Sequence, residues 1–158
     1  MTIIRPAGPR DVATILRFVR ELAAFEREPD AVEATEETLA HALFDERAAE
    51  AVIAERDGAP VGFALFFHNF STWTGKKGLY LEDLYVTPEA RGTGVGRQLL
   101  KHLAAVAVER DCARFEWAVL DWNQPAIDFY TSQGAEMMAD WRIERVTGKA
   151  LARLAERD

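Results

Sequence analysis

Cysteine is nearly missing from this chain and histidine is scarce: Cys112 stands alone among 158 residues, beside three histidines. One thiol cannot build an internal disulfide framework, and it excludes a zinc site made of several cysteines. No metal site is expected. No apolar run approaches the ~20 residues that a membrane span requires. The opening Met1-Thr2-Ile3-Ile4-Arg5-Pro6 lacks a basic stretch followed by an apolar one, so no secretory leader is expected and the default location is cytoplasmic. A block of basic residues is missing as well, and the formal net charge is −7. Nucleic acid and anionic lipid both need concentrated Lys and Arg, so neither is expected as a partner. A cationic ligand suits this balance, although −7 also serves solubility alone.

What is present is ordinary globular material, 49% apolar and 28% charged, which sets aside disorder and fibrous folds. The length fits a single domain, 1–158, able to bury roughly 70% of the surface its unfolded chain exposes. Thr2 to Pro6 reads as a strand. Pro9-Arg10-Asp11 opens a helix carrying Val12, Ile15, Leu16, Val19, Leu22 and Ala23 at helical spacing, and Pro29-Asp30 breaks it. Thr35 caps a second helix to about Phe44, with Glu36 and Glu37 in its first turn. Ala51–Glu55 and Val61–Phe67 flank a hairpin turn at Asp57-Gly58-Ala59-Pro60. A strand follows from Leu79 to Val86 and is ended by Pro88. Beyond a glycine-rich segment, Val95, Leu99, Leu103 and Val106 share one helix face. Phe115–Leu120 is a strand, and Asn123 caps a helix to about Ser132 that Gly134 ends. A last strand is expected within Glu136–Val146, and Thr147 is placed to cap a closing helix. The order is βαα-βββ-αβ-αβ, a mixed α/β fold with no internal repeat.

The sharpest local signal is Arg91-Gly92-Thr93-Gly94-Val95-Gly96, between a strand and a helix. Glycines let the backbone turn tightly and bring bare N–H groups to a ligand, while the helix adds the positive end of its dipole. Arg91 can clamp a phosphate in bidentate fashion. A P-loop would end in Gly-Lys-Ser/Thr, but Arg97-Gln98 follow Gly96. A dinucleotide site needs G-x-G-x-x-G, whereas here the spacing is G-x-G-x-G, although Glu116 stands where a ribose-binding acid would. The remaining pattern is R-x-x-G-x-G/A.

Upstream, Glu82 and Asp83 interrupt the β-rich run Leu79 to Val86. Unpartnered carboxylates are costly to bury. Either they face solvent and a turn, or they line a cleft beside the glycine loop. Downstream, Asn123 and Pro125 mark a helix start, with Tyr130 two turns on. By its own residue pattern Tyr130 is a core tyrosine or a catalytic one.

Taken in order, Tyr85-Val86, Arg91 to Gly96 and Asn123 to Tyr130 resemble the GCN5-related N-acetyltransferases over the whole chain. Ile4-Arg5-Pro6-Ala7, Glu21 to Glu26, Tyr80-Leu81-Glu82-Asp83 and Asp121-Trp122-Asn123 narrow the resemblance to the diamine acetyltransferases, with their spermidine/spermine and thialysine branches. The resemblance implies that fold, a central mostly antiparallel twisted sheet flanked by helices. It implies acetyl-CoA as cosubstrate: Leu84, Tyr85 and Val86 would pair with the pantetheine arm, and Arg91, Gly92, Thr93, Gly94, Val95 and Gly96 would take the pyrophosphate. Asn123 would touch the donor near the reacting centre. Tyr130 matches the general acid, and Glu82 is the candidate base. Phe25, Glu26, Glu82, Asp83 and Asp121 would hold the substrate amine.

The family's acid-Gly-Trp segment is replaced here by Ala139-Asp140-Trp141, and the first hairpin is shorter. Ala118 to Gln124 and Ser71-Thr72-Trp73 are closer to the thialysine branch, so a thialysine- or lysine-like amine is expected ahead of spermidine. Family members are usually homodimers, which fits the aromatic stretch Phe66, Phe67, Phe70 and Trp73. Cys112, at a helix-to-strand junction, is read as structural, which favours direct attack without a covalent enzyme intermediate. The rival readings are acetylation of a protein N-terminus or lysine, and a silent acyl-CoA-binding module.

Overall fold

Alternating apolar residues lay down a five-stranded sheet in a computed structural model that describes residues 1–157. Its strands, in order across the sheet, are β1 Thr2–Pro6, β2 Glu50–Arg56, β3 Ala59–Ser71, β4 Lys76–Val86 and β5 Phe115–Trp117. Neighbours from β1 to β4 run antiparallel, and β5 joins β4 in parallel. Asp57 and Gly58, both with positive φ (53° and 77°), make the tight turn between β2 and β3. The helices are α1 Val12–Phe25, α2 Glu36–Ala40, α3 Val95–Glu109, α4 Gln124–Ser132 and α5 Gly148–Leu154. The contacts divide the chain into two compact units, Met1–Leu120 and Asp121–Asp158.

In the first unit both faces of the sheet are covered. Phe63 of β3 pairs with Tyr85 of β4, and both rings meet Phe18 of α1. Ile15, Leu43, Ala51 and Ile53 complete that core. Gly62 and Val86, the next pair along, turn to the opposite face and meet α3. A Cβ at Gly62 would lie 2.7 Å from the Tyr85 carbonyl oxygen and 3.5 Å from Leu99 Cδ1, so only glycine fits there. α3 buries Val95, Leu99, Leu100 and Leu103.

The entry to α1 is stapled to the sheet edge. A short 3-10 turn, Pro9–Asp11, begins it. Arg5 of β1 grips Asp11 with two bonds of 2.8 Å, and it also donates to Glu55 of β2. The Gly8 N–H donates to the same Asp11 carboxylate at 2.7 Å. Thr35 caps α2 in a reciprocal box with Thr38, and wider π-helical bonding carries the turn through His41–Asp45.

The second unit holds α4 and α5. The Asn123 side chain accepts from Ala126 N–H at the start of α4, and Gly134 (φ 99°) ends it, as the residue pattern predicts. Three expectations need correction. The expected strand within 136–146 does not form: the recorded backbone bond there is a turn, from Trp141 N–H to Met138 C=O at 3.2 Å. Alternation in Trp141-Arg142-Ile143-Glu144 suits a strand, but a strand exists only when a neighbour pairs with it. β5 also stops at Trp117 rather than Leu120, for a reason visible in β4. Thr147 precedes α5 without capping it through its side chain.

Candidate active site

The predicted acidic pair sits on a β-bulge. Along β3 and β4, Leu65 pairs with Asp83 and the next residue, Phe66, pairs with Leu81, which leaves Glu82 as the extra residue. A bulge reverses the alternation of side chains. Leu79 and Leu81 therefore face one side of the sheet, while Asp83 and Tyr85 face the α1 side. β5 pairs with β4 only from Leu79 to Leu81. Past the bulge, among the described residues, no strand pairs with the β5-side edge of residues 82–86. That open edge is where an extended amide-bearing chain can add as a strand would. It includes Leu84, Tyr85 and Val86.

Glu26, just past the C-terminal end of α1, completes a group of three carboxylates. Burial, then repulsion from Glu82 and Glu26, pushes the Asp83 carboxyl up to about 6 from its ordinary 3.8. Burial, then Glu82, raises Glu26 as well. Burial with Glu82 and Glu116 nearby raises the Tyr80 phenol. Glu82 itself is exposed. Such a group is starved of positive charge, and a cation would relieve each of these shifts.

Beyond β4, a 3-10 turn at Pro88–Ala90 leads into the glycine loop. Gly92 (φ 76°) and Gly94 (φ 91°) adopt left-handed backbone, which is why glycine stands at both. Gly94 has no side chain to cap α3, so the first N–H groups of the helix point into the loop without an internal partner. No atom lies within 4 Å of where a Cβ would stand at Gly92 or Gly94, and a methyl at Gly96 would meet only Val86, at an ordinary 3.7 Å. The protein's own packing leaves that space to a ligand, and bare N–H groups at a helix start suit a diphosphate.

Arg91 is held rather than swinging free. Its Nε donates to the Val86 carbonyl at 3.0 Å, and its guanidinium lies over the rings of Tyr85 (5.6 Å) and Phe25 (5.7 Å). Tyr85 is fixed in turn: its hydroxyl donates to Glu21 at 2.7 Å. Burial and that bond push the phenol up to about 12. Phe25, expected beside the substrate, thus lies under Arg91. The Thr93 hydroxyl donates to Ala90 C=O at 2.5 Å, so its proton is committed to the scaffold. Glu21 had no role assigned from sequence, because only its contact with Tyr85 reveals one.

In the second unit, Tyr130 lies on α4 two turns after Asn123, half-buried, with its ring 5.5 Å from that of Phe129. Asp121 is exposed just before the helix. Among the described residues, no group of three or more His, Cys, Asp or Glu could hold a metal ion. Among the described residues, no helix is long and apolar enough to cross a membrane.

Residues 16–135 match the Acetyltransferase (GNAT) family. The chain belongs to that family. It is an acyltransferase, and the mostly antiparallel sheet with flanking helices is the GNAT fold. Thialysine N-epsilon-acetyltransferase of Sus scrofa is 40% identical over 97% of this chain and 96% of its own length. Spermidine/spermine N(1)-acetyltransferase-like protein 1 of Homo sapiens is 37% identical over 96% of this chain but 23% of its own. An integron cassette protein from V. cholerae has a TM-score of 0.82 at 29% identity, covering 99% of this chain and 98% of that structure.

Proposed function

We propose that residues 1–158 work as one N-acetyltransferase domain that takes acetyl-CoA as donor. The acceptor in this reading is the terminal amine of a small cationic molecule, thialysine or another lysine-like amine ahead of a polyamine. The observation that carries the reading is the combination of three mutually repelling carboxylates, Glu82 and Asp83 on β4 with Glu26 at the end of α1, and the glycine loop that follows β4. Full-length similarity to thialysine acetyltransferases supports the choice of amine. A peptide acceptor is disfavoured because the carboxylates select a compact cation. A silent acyl-CoA-binding module is disfavoured because both Glu82 and Tyr130 are retained.

Acetyl-CoA supplies the thioester whose carbonyl carbon the amine attacks, forming the N–C bond as the C–S bond breaks. Gly92 to Gly96 and Arg91 bind the diphosphate, and the free edge of residues 84–86 takes the pantetheine amides. Asn123 contacts the donor near the reacting centre. Glu26, Asp83 and Asp121 hold the amine. An amine of pKa about 10.4 costs about 4.6 kcal/mol to deprotonate at pH 7. Carboxylates that bind the cation deepen that cost, so Glu82 takes the proton through water rather than by direct contact. Tyr130 returns a proton to the departing thiolate. The protein acts in the cytoplasm as a homodimer. Of the aromatic stretch expected to pair, Phe66 is buried within the protomer, while Phe70 and Trp73 are exposed and a partner copy would cover them. Sedimentation of a 17.7 kDa monomer at micromolar concentration would remove the dimer.

Thermal shift tests the donor. Acetyl-CoA raises Tm with ln(1 + [L]/Kd), while NAD and ATP do not. Stabilisation by NAD alone would replace this reading with a dinucleotide-binding one.

A further inference from the structure

The glycine loop is braced by a residue that no motif contains. Arg56 ends β2, opposite Thr2 in β1, and its Nη2 donates to Thr2 Oγ1 at 3.1 Å and to Thr93 Oγ1 at 3.0 Å. Thr93 stands between the two left-handed glycines, where backbone freedom is greatest. Its hydroxyl gives its proton to Ala90 C=O and receives one from Arg56. The middle of the loop is thereby pinned to the loop's own start and to the far edge of the sheet. Both recorded bonds of Arg56 use Nη2 alone, which leaves Nε and Nη1 as donors beside the loop. Arg56 also lines, with Arg17, Glu21, Tyr85 and Glu89, an open groove of about 620 Å³ that reaches Ala90 at the start of that loop. A guanidinium here does two things at once. It removes conformations the loop would otherwise lose on binding a ligand, and it holds positive charge near an anion.

We propose that Arg56 is a positioning residue for the phosphate loop, fixing Thr93 between the glycines and adding positive charge beside the donor's phosphates. The inference rests on the acetyl-CoA reading above. Its test is calorimetric titration of CoA into the full chain and into Arg56→Ala, Arg56→Lys and Thr93→Val, with KM for acetyl-CoA and for S-acetylpantetheine, which lacks the nucleotide phosphates. Arg56→Ala weakens CoA by about tenfold, the scale of one charge-assisted bond with its ordering. Arg56→Lys recovers part of this because charge remains, and Thr93→Val reproduces part because the brace is cut from the other side. KM for S-acetylpantetheine stays within about twofold, which a general loss of structure would not permit. Should Arg56→Ala fail to fold, Arg56→Gln, which keeps much of the stem and drops the charge, decides by the same split between donors. Unchanged CoA affinity in the variants, or an equal loss with both donors, overturns the role of Arg56. Failure of the unaltered chain to bind CoA would instead remove the donor assignment itself.

Discussion

Asp83→Asn should stabilise the protein at neutral pH while damaging its use of cationic substrate. In the native fold the Asp83 carboxyl titrates at about 6 instead of 3.8, because burial and two neighbouring acids oppose its ionisation. Below 3.8 the group is protonated in both folded and unfolded chains, and it contributes no difference. As pH rises from 3.8 through about 6 the unfolded chain sheds the proton first, so stability falls across that window and levels off above it. A difference of about two pH units at about 1.36 kcal/mol each makes the cost about 3 kcal/mol at pH 8. Urea unfolding of both proteins at pH 4, 6 and 8 measures this. The curves should converge at pH 4, with the variant ahead by about 3 kcal/mol at pH 8, less whatever the new amide loses in solvation. Putrescine should narrow the gap at pH 8 by supplying the missing positive charge, and should not affect the variant equally. Stability differences that stay constant from pH 4 to pH 8 would refute the claim that Asp83 is held against its charge.

Gly96→Ala should raise unfolding stability by up to about 1 kcal/mol, since a methyl fits against Val86, yet weaken CoA by about tenfold or more, read by denaturation and calorimetry. Asp11→Asn should cost about 2–3 kcal/mol by cutting the paired bonds to Arg5. The Arg5 guanidinium lowers Asp11 below its ordinary range, so the unaltered protein loses this advantage as pH falls below 3.8 and through the lowered value, where the two denaturation curves should close. Tyr130→Phe should lower kcat by about 10²-fold or more while CoA affinity holds, as steady-state kinetics and titration would show.

Much of this architecture is written locally. Apolar spacing marks α1 and α3, Asn123 and Gly134 bracket α4, and two of the three glycines of the glycine loop, Gly92 and Gly94, stand where the backbone turns left-handed. The acidic pair is visible in sequence, but its geometry is not. Strict alternation sends Glu82 and Asp83 to opposite faces, and only pairing with β3 discloses the bulge that aims Asp83 toward α1. The same bulge explains why β5 ends early, since the partner edge departs after Leu81. The brace from Arg56 to Thr93 spans 37 residues, and neither residue type marks it. The unformed strand within 136–146 fails for a related reason: alternation along one segment says nothing about whether a neighbour is there to pair with it.

The most direct measurement is transfer of label from radiolabelled acetyl-CoA to thialysine, lysine, putrescine and spermidine under one salt condition, with kcat/KM for each. The account predicts labelled thialysine or a lysine-like amine at the highest kcat/KM, with spermidine and putrescine acetylated less well. A clear preference for spermidine would move the substrate assignment to the polyamine branch. Failure to label any of the four amines, by protein that binds CoA, would contradict the central claim.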